Sequence, residues 1–447
     1  MGVTGPITGG AHGWAFGEPL ADLADAGYRA EELLMEGEAT RFRAAPGTEL
    51  GEDGHWDAEP AGTATYRTRL LVYRPIDPTA FNGTVIVSWN NVSAGYELFG
   101  GDTAEILEGG YAFVGATVQR VGIEGLPPTP MGLAAWDPER YGSLSHPGDD
   151  FSFDIFTQAG RAARQLDGLD VRRVVAMGAS QSAGRLAAYV NAIQPLEHVF
   201  DGFLLTIYFG TGTQLEVGDA VVDLNAPALA RTTANAMRGR NRLRDDGVPV
   251  FVVNSELEAM ACLDVRQPDT DTFRYWEVAG TSHVSAQVQG PRARKYEREF
   301  GQELPVTPGM NRISMLPVYD AAIHHLHSWV SGDGAPPTQP KIEFAGGEVV
   351  RDEHGIAVGG IRLPAAEVPV ATNSAIPLGP GIYPLLQGSS YPFPASKLID
   401  LYGDEATYAA KVEQAARASE KAGVVLPRDV EPLIAEAVEE FRANVSR

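Results

Sequence analysis

Apolar and polar positions follow two rhythms along this chain. Residues 65–74 (TYRTRLLVYR) alternate with period two, the pattern of a strand with one face buried. Six further runs are short and almost wholly apolar: 84–89 (TVIVSW), 111–118 (YAFVGATV), 173–177 (RVVAM), 203–208 (FLLTIY), 249–253 (PVFVV) and 273–279 (FRYWEVA). Continuous apolar runs of that length predict central strands of a parallel sheet covered on both faces. Helical periodicity appears between them. Residues 154–167 open with Asp154 in N-cap style and set Ile155, Ala159, Ala162 and Leu166 near one face, and 181–193 ends just before Pro195. A third helix over 318–330 closes the alternation before GDGAPP at 332–337. Strands alternating with helices predict an α/β protein with a mostly parallel, doubly wound sheet and helices on both faces.

Three stretches fall outside the alternation. Residues 120–150 are rich in Gly and Pro, 209–247 form a long excursion with a helix expected near 225–240, and 338–447 follow the last sheet element. Long excursions within α/β units are usually lids or substrate-binding loops. The apolar-periodic stretch 404–440 predicts a helical extension packed on the core. The reading is one domain over 1–447, with N-terminal strands in 1–80, a catalytic core in 81–335 and a C-terminal extension in 336–447. No internal repeat or heptad run points to a solenoid or coiled coil.

Charge narrows the partners. Lys and Arg number 35 against 58 Asp and Glu, a formal net charge of −23. A field of that sign repels phosphate backbones and anionic lipid, which argues against nucleic-acid and membrane-surface roles. Cys262 is the single cysteine, so neither an intrachain disulfide framework nor a Cys-rich zinc site is expected. The N-terminus lacks a basic n-region followed by an apolar run, and no stretch approaches the roughly 20 apolar residues of a membrane helix. The expectation is a cytoplasmic protein.

The sharpest chemical signal is VRRVVAMGASQSAGRLAAYV at 171–190. A strand runs into Gly178-Ala179-Ser180-Gln181-Ser182 and then into a helix, the context of a nucleophile elbow, where the serine sits on a strained turn between small neighbours. Gly178 and Ser182 are those neighbours; a Ser stands where Gly-x-Ser-x-Gly has its second glycine. Ser182 as nucleophile is rejected, because it already lies inside the helix. A serine nucleophile needs a base, and the base an orienting carboxylate, following it in the order Ser, acid, His. The 249–253 strand leads into Asn254-Ser255-Glu256-Leu257-Glu258, and the 273–279 strand into Gly280-Thr281-Ser282-His283. His283 is the expected base, since it alone among the nine histidines follows a predicted sheet strand in a small, flexible setting. Acid loops that read Gly-x-x-Asp favour Glu258 as its partner, with Glu256 as the alternative. The cluster His324, His325 and His327 lacks a companion carboxylate pattern, and neither metal nor organic cofactor is called for.

An oxyanion hole completes the set. One donor is the backbone N–H of Gln181, and the second is expected from the loop Trp89-Asn90-Asn91 after the first parallel strand, around Asn90 and Asn91. Trp89, Tyr96, Phe99, Tyr208 and Phe209 flank strand ends and are candidates for an apolar substrate pocket, with His146 as a candidate substrate contact.

The stretches GTVIVSWNNVSAG, RYGSLSHPGDDFSFDIFTQAGRA, GASQSAGRLAAYVNAIQP, VNSELEAM, WEVAGTSHV, DEHGIAVGGIRLP and AGVVLPRD together resemble the "alpha/beta hydrolase domain" family from about residue 30 onward. The Gly-x-Ser-Gln-Ser elbow belongs to that resemblance. It implies an α/β-hydrolase fold, a triad carried by Ser180, His283 and Glu258 or Glu256, and a C-terminal segment belonging to the same unit; it implies no particular substrate. The expected activity is a serine esterase acting on a small-molecule ester through an acyl-enzyme. Lactonase, acyltransferase or amidase chemistry on the same triad and a non-catalytic binding role are the alternatives.

Overall fold

The computed structural model describes residues 1–98, 100–218 and 237–446. The chain divides into two compact units. The first comprises 1–251, 270–273 and 326–333; the second comprises 252–269, 274–325 and 334–447.

Seven strands build the sheet of the first unit. They are β1 (Gly2–Thr4), β2 (Tyr28–Ala44), β3 (Ala58–Pro75), β4 (Thr84–Trp89), β5 (Ala112–Ala116), β6 (Arg173–Ala179) and β7 (Gly202–Thr206), ordered β1-β2-β3-β5-β4-β6-β7. The pairs β1–β2, β2–β3 and β3–β5 are antiparallel, whereas β5–β4, β4–β6 and β6–β7 are parallel. The continuous apolar runs are the parallel strands: Val85, Val87, Val174, Ala176, Phe203 and Leu205 are all fully buried, as the covering of both faces demands. Helix α1 (Ser152–Ala163) buries Ile155 and Ala159 completely. Helix α2 (Gln181–Ala188) passes at Tyr189 into a π turn that ends at Ile193, so the helix expected over 181–193 changes its winding rather than stopping.

The alternating stretch 65–74 lies in β3, but it is not a half-exposed strand. From Thr68 to Pro75 every residue is buried. The polar position Arg69 is 1% exposed and is absorbed by an ion cluster. Its Nη1 donates to Glu32 Oε1 at 2.9 Å, and its Nη2 to Glu97 Oε2 at 2.6 Å. Tyr141 O–H donates to Glu32 Oε1 at 2.7 Å, and Arg140 Nε to Glu32 Oε2 at 2.7 Å. Burial works against the Arg69 charge, but Glu97, Tyr141 and Glu32 outweigh it and hold the guanidinium above its usual pKa.

That cluster decides the fate of the 120–150 excursion. It consists of short helices at Arg120–Glu124, Leu133–Trp136 and Pro138–Tyr141, and it is tied down rather than hinged. Asp137 Oδ2 accepts the N–H groups of Ala11 (2.7 Å) and His12 (3.2 Å), Arg140 Nη1 donates to Gly9 O at 2.6 Å, and the His12 and Trp136 rings stack at 3.8 Å. Polar side chains of the excursion thus complete the packing of the N-terminal segment. In the 209–247 excursion, β8 (Thr211–Thr213) pairs with β9 (Met237–Arg240) in antiparallel fashion. Most of the helix expected near 225–240, and Phe99, lie outside the described residues; 237–240 is strand rather than helix.

Strands β10 (Val250–Ser255) and β11 (Phe273–Val278) lead the chain into the second unit. That unit holds α3 (Glu256–Ala261), α4 (Ala286–Phe300) and the start of α5 (Leu316–Ser331). It also holds the antiparallel pair Ala371–Ser374 and Ser389–Pro392, then α6 (Ala395–Tyr402), α7 (Glu405–Lys421) and α8 (Pro427–Val445). The 404–440 periodicity is two helices. Gly423 turns the chain between them at φ +74°, and Tyr408 and Phe441 stack at 4.5 Å in a core with Leu398, Val412 and Ala437. Among the described residues no helix is long and apolar enough to cross a membrane.

Removing Arg69 strands the Glu97 carboxylate in the interior. Arg69→Met is expected to lower unfolding free energy by about 3–5 kcal/mol, and Arg69→Met with Glu97→Leu to recover part of the loss, both read by urea denaturation.

Candidate active site

Ser180 stands between the last residue of β6 and the first residue of α2, with φ 58° and ψ −118°. Only two other non-glycine residues among those described, His198 and Ile207, have positive φ. Such a conformation costs about 1–3 kcal/mol and persists only where its surroundings enforce it. Here the enforcement is specific. Ser180 N–H donates to Thr206 O at 3.0 Å, continuing the β6–β7 ladder, while Ser180 O accepts Gly184 N–H at 3.2 Å, opening the helix. A Cβ on Gly178 would lie 2.9 Å from Ser182 O, so this neighbour has to be glycine. Ser182 is 1% exposed; its Oγ accepts Ala179 N–H and donates to Ala179 O, each at 2.9 Å. The serine in place of a second glycine therefore closes the elbow.

The β4 loop reaches the same turn. Asn91 Nδ2 donates to Ala179 O at 2.9 Å, and its Oδ1 accepts Ser93 N–H at 2.8 Å. The Asn91 side chain is thus a clasp, leaving its backbone amide as the candidate oxyanion donor. Asn90 N–H faces Ala116 O at 3.4 Å along the sheet, so the loop nomination narrows to Asn91.

The pocket residues expected from the sequence fare differently. Trp89 is 1% exposed and packs among Phe153 and Phe156, with its indole N–H on Gln119 Oε1 at 3.0 Å; it is core, not pocket wall. Tyr208 is buried with its O–H 3.4 Å from Asn241 O, and the half-buried Phe209 gives its carbonyl to Arg240 Nη1 at 2.9 Å. His146 is also structural. Its Nε2 lies 3.0 Å from Val118 O and its Nδ1 accepts Gly148 N–H at 3.2 Å, so both ring nitrogens are taken by main chain. That tautomer is neutral, and burial holds its pKa below the usual histidine value.

In the second unit the two candidate carboxylates separate cleanly. Glu258 Oε1 lies 2.7 Å from His283 Nδ1, with the Glu258 side chain fully buried and that of His283 6% exposed. Glu258 Oε2 accepts the N–H and O–H of Ser255, so the same carboxylate closes a capping box at the start of α3. The Ser255-x-x-Glu258 spacing is visible in the sequence as a helix-start signal, and it points to the residue whose other oxygen meets the imidazole. Glu256 does something else. Its Oε1 binds Arg351 Nη2 at 2.6 Å and Ala375 N–H at 3.2 Å, and its Oε2 accepts Gly280 N–H at 3.0 Å.

The turn that carries His283 is held from several sides. Gly280 sits at φ +70°, and a Cβ there would lie 3.1 Å from Ile313. Asn311 Nδ2 donates to Gly280 O (2.8 Å) and Ser374 O (3.1 Å), and Val284 N–H to Leu386 O (2.9 Å). Residues 374–387 thus brace the histidine turn, a function that periodicity did not disclose. Of the helix α5 histidines, His325 Nε2 lies 2.7 Å from Gly423 O and His327 Nδ1 2.7 Å from Thr84 Oγ1. Among the described residues no group of three or more His, Cys, Asp and Glu is placed to hold a metal ion.

A model of the family described as "Alpha/beta hydrolase domain" matches residues 3–435, taking in both units. No curated protein matches the chain. Among solved structures it is similar to oligopeptidase B from Leishmania major, at 12% identity over 62% of this chain and 36% of that one, with TM-score 0.31. It is also similar to a lipase/esterase from Lactobacillus plantarum (12% identity, 60% of this chain, 100% of that one, TM-score 0.30). A third is esterase Est22 (13% identity, 52% of this chain, 66% of that one, TM-score 0.28). The chain spans only 35% of the prolyl endopeptidase that it matches.

Two outcomes follow from the histidines. A downfield Nδ1–H proton resonance of His283 is expected in the wild type and in Glu256→Gln, and is expected to vanish in Glu258→Ala. For His146 the folded state disfavours the proton, so its stabilising contribution is present above the unfolded pKa of about 6.5 and is lost as pH falls from there through the lower folded value. Unfolding free energy measured between about pH 6.5 and 5 should decline less steeply in His146→Gln, by up to about 1.4 kcal/mol per pH unit.

Proposed function

The chain belongs to the alpha/beta hydrolase domain family, and from that premise we propose that it is a serine hydrolase cleaving carboxylic esters through an acyl-enzyme. The observation that carries the reading is the Ser180 backbone, a serine at φ 58° and ψ −118° at the head of a helix. A turn held in that conformation presents Oγ outward and aims the first amides of the helix at whatever binds there.

In this reading Ser180 Oγ attacks the ester carbonyl while His283 Nε2 takes its proton. The 2.7 Å contact between Glu258 and His283 Nδ1 selects the tautomer with the free Nε2 lone pair and stabilises the imidazolium as it forms. The oxyanion is held by the backbone N–H groups of Gln181 and Asn91, aided by the partial positive charge at the start of α2. His283 returns the proton to the leaving alcohol, and water, activated by the same histidine, releases the acid. No step requires a metal or organic cofactor.

The test is hydrolysis of p-nitrophenyl esters from acetate to octanoate, with fluorophosphonate labelling in parallel. Wild type is expected to turn over and to label. Ser180→Ala should lose at least about 10⁴-fold in kcat together with the label, and Glu258→Gln about 10⁴-fold with KM little changed. Ser182→Ala should keep the label and lose stability. A wild type that neither hydrolyses nor labels overturns the esterase reading in favour of a binding role.

A further inference from the structure

Behind the elbow lies a polar network wholly inside the first unit. Gln119 follows β5 and is completely buried. Its Oε1 accepts two hydrogen bonds, from Trp89 Nε1 at 3.0 Å and from Gln181 Nε2 at 3.1 Å. Its Nε2 donates to Asp149 Oδ2 at 3.3 Å. Asp149 in turn accepts Arg185 Nη2 on Oδ2 at 3.0 Å and Arg120 N–H on Oδ1 at 2.8 Å. The amide orientation is dictated by chemistry: an indole N–H can only donate, and an ionised carboxylate can only accept. Gln119 therefore has to turn its oxygen to Trp89 and its nitrogen to Asp149, and Gln181 has to donate.

The two donors that converge on this oxygen come from the two sides of the proposed oxyanion hole. Trp89 ends β4, two residues before Asn91, and Gln181 follows the nucleophile. We propose that Gln119 is a positioning residue for the oxyanion hole, its single carbonyl oxygen setting the spacing between the β4 loop and the start of α2. The inference rests on the esterase reading. Gln119 touches no reacting atom in this scheme; it acts through the residues whose backbones carry the donors. Its burial means that no water replaces it at low cost, and a shift of about 1 Å in a donor is enough to cost on the order of 100-fold in rate.

The test compares wild type, Gln119→Met and Gln181→Met, each counted by fluorophosphonate titration of active sites. Read-outs are kcat and KM on p-nitrophenyl butyrate and the inhibition constant of an alkylboronic acid, whose tetrahedral adduct fills the oxyanion hole. Gln119→Met is expected to lower kcat per active site about 10- to 100-fold with KM within about threefold, and to weaken the boronate by a similar factor. Gln181→Met, which cuts the same link while keeping the backbone N–H, should lower kcat less, and the double variant should be no worse than Gln119→Met alone. If Gln119→Met does not fold, the Gln181→Met split between kcat and KM decides alone. An unchanged kcat per active site, or a loss carried by KM, overturns the inference while a working wild type leaves the esterase reading standing; a wild type silent in both assays overturns both.

Discussion

A serine held where L-residues rarely go is the constraint around which the first unit is organised. The strain at Ser180 is balanced by its surroundings: the extension of the β6–β7 ladder, the Ser182 hydroxyl bridging both backbone groups of Ala179, the Asn91 clasp and the missing Cβ at Gly178. Each depends on the next layer. Asn91 is brought to Ala179 by the end of β4, β4 is kept in place by parallel neighbours on both sides, and the loop after it is anchored through Trp89 to Gln119. A local conformation that costs free energy is thus maintained by a sheet buried on both faces.

Three buried carboxylates do comparable work across the two units as shared acceptors. Glu32 collects Arg69, Arg140 and Tyr141; Asp149 collects Gln119, Arg185 and the Arg120 amide; Glu256 collects Arg351 and two backbone amides. Isolated charges in such places would be prohibitive, and each is matched by several donors, so the clusters tie segments distant in sequence at the cost of intolerance to the loss of one partner. Glu258 differs from these in that its second oxygen is given to an imidazole. A carboxylate already immobilised by a capping box offers that oxygen with little remaining freedom, which is what a histidine needs if its tautomer is to be defined.

Most of the architecture was legible along the chain. The apolar runs at 84–89, 173–177 and 249–253 became β4, β6 and β10 within a residue or two, because a strand buried on both faces admits almost nothing else. The elbow was legible because strand, turn and helix lie within 20 consecutive residues. Where local reasoning misjudged, long-range partners had intervened. The alternation over 65–74 looked like a strand with one face in solvent, yet Arg69 within it is buried because Glu32 and Glu97 await it. Trp89 and His146 looked like site residues and are core because Gln119 and the main chain of Val118 and Gly148 satisfy their polar atoms.

By itself the sequence determined most of the elements, the strand–turn–helix at Ser180 and a short list of candidate acids and bases, all of which are written in periodicities and spacings a few residues long. It narrowed the candidate acid to Glu256 or Glu258, two positions apart at the same strand end. Only the tertiary structure decided between their roles, setting one against His283 and the other against Arg351, Ala375 and Gly280. The physical reason is one of range: hydrophobic patterning is averaged over many residues and survives without knowledge of partners. A hydrogen bond is made or lost over less than an ångström, between groups that only the folded chain brings together.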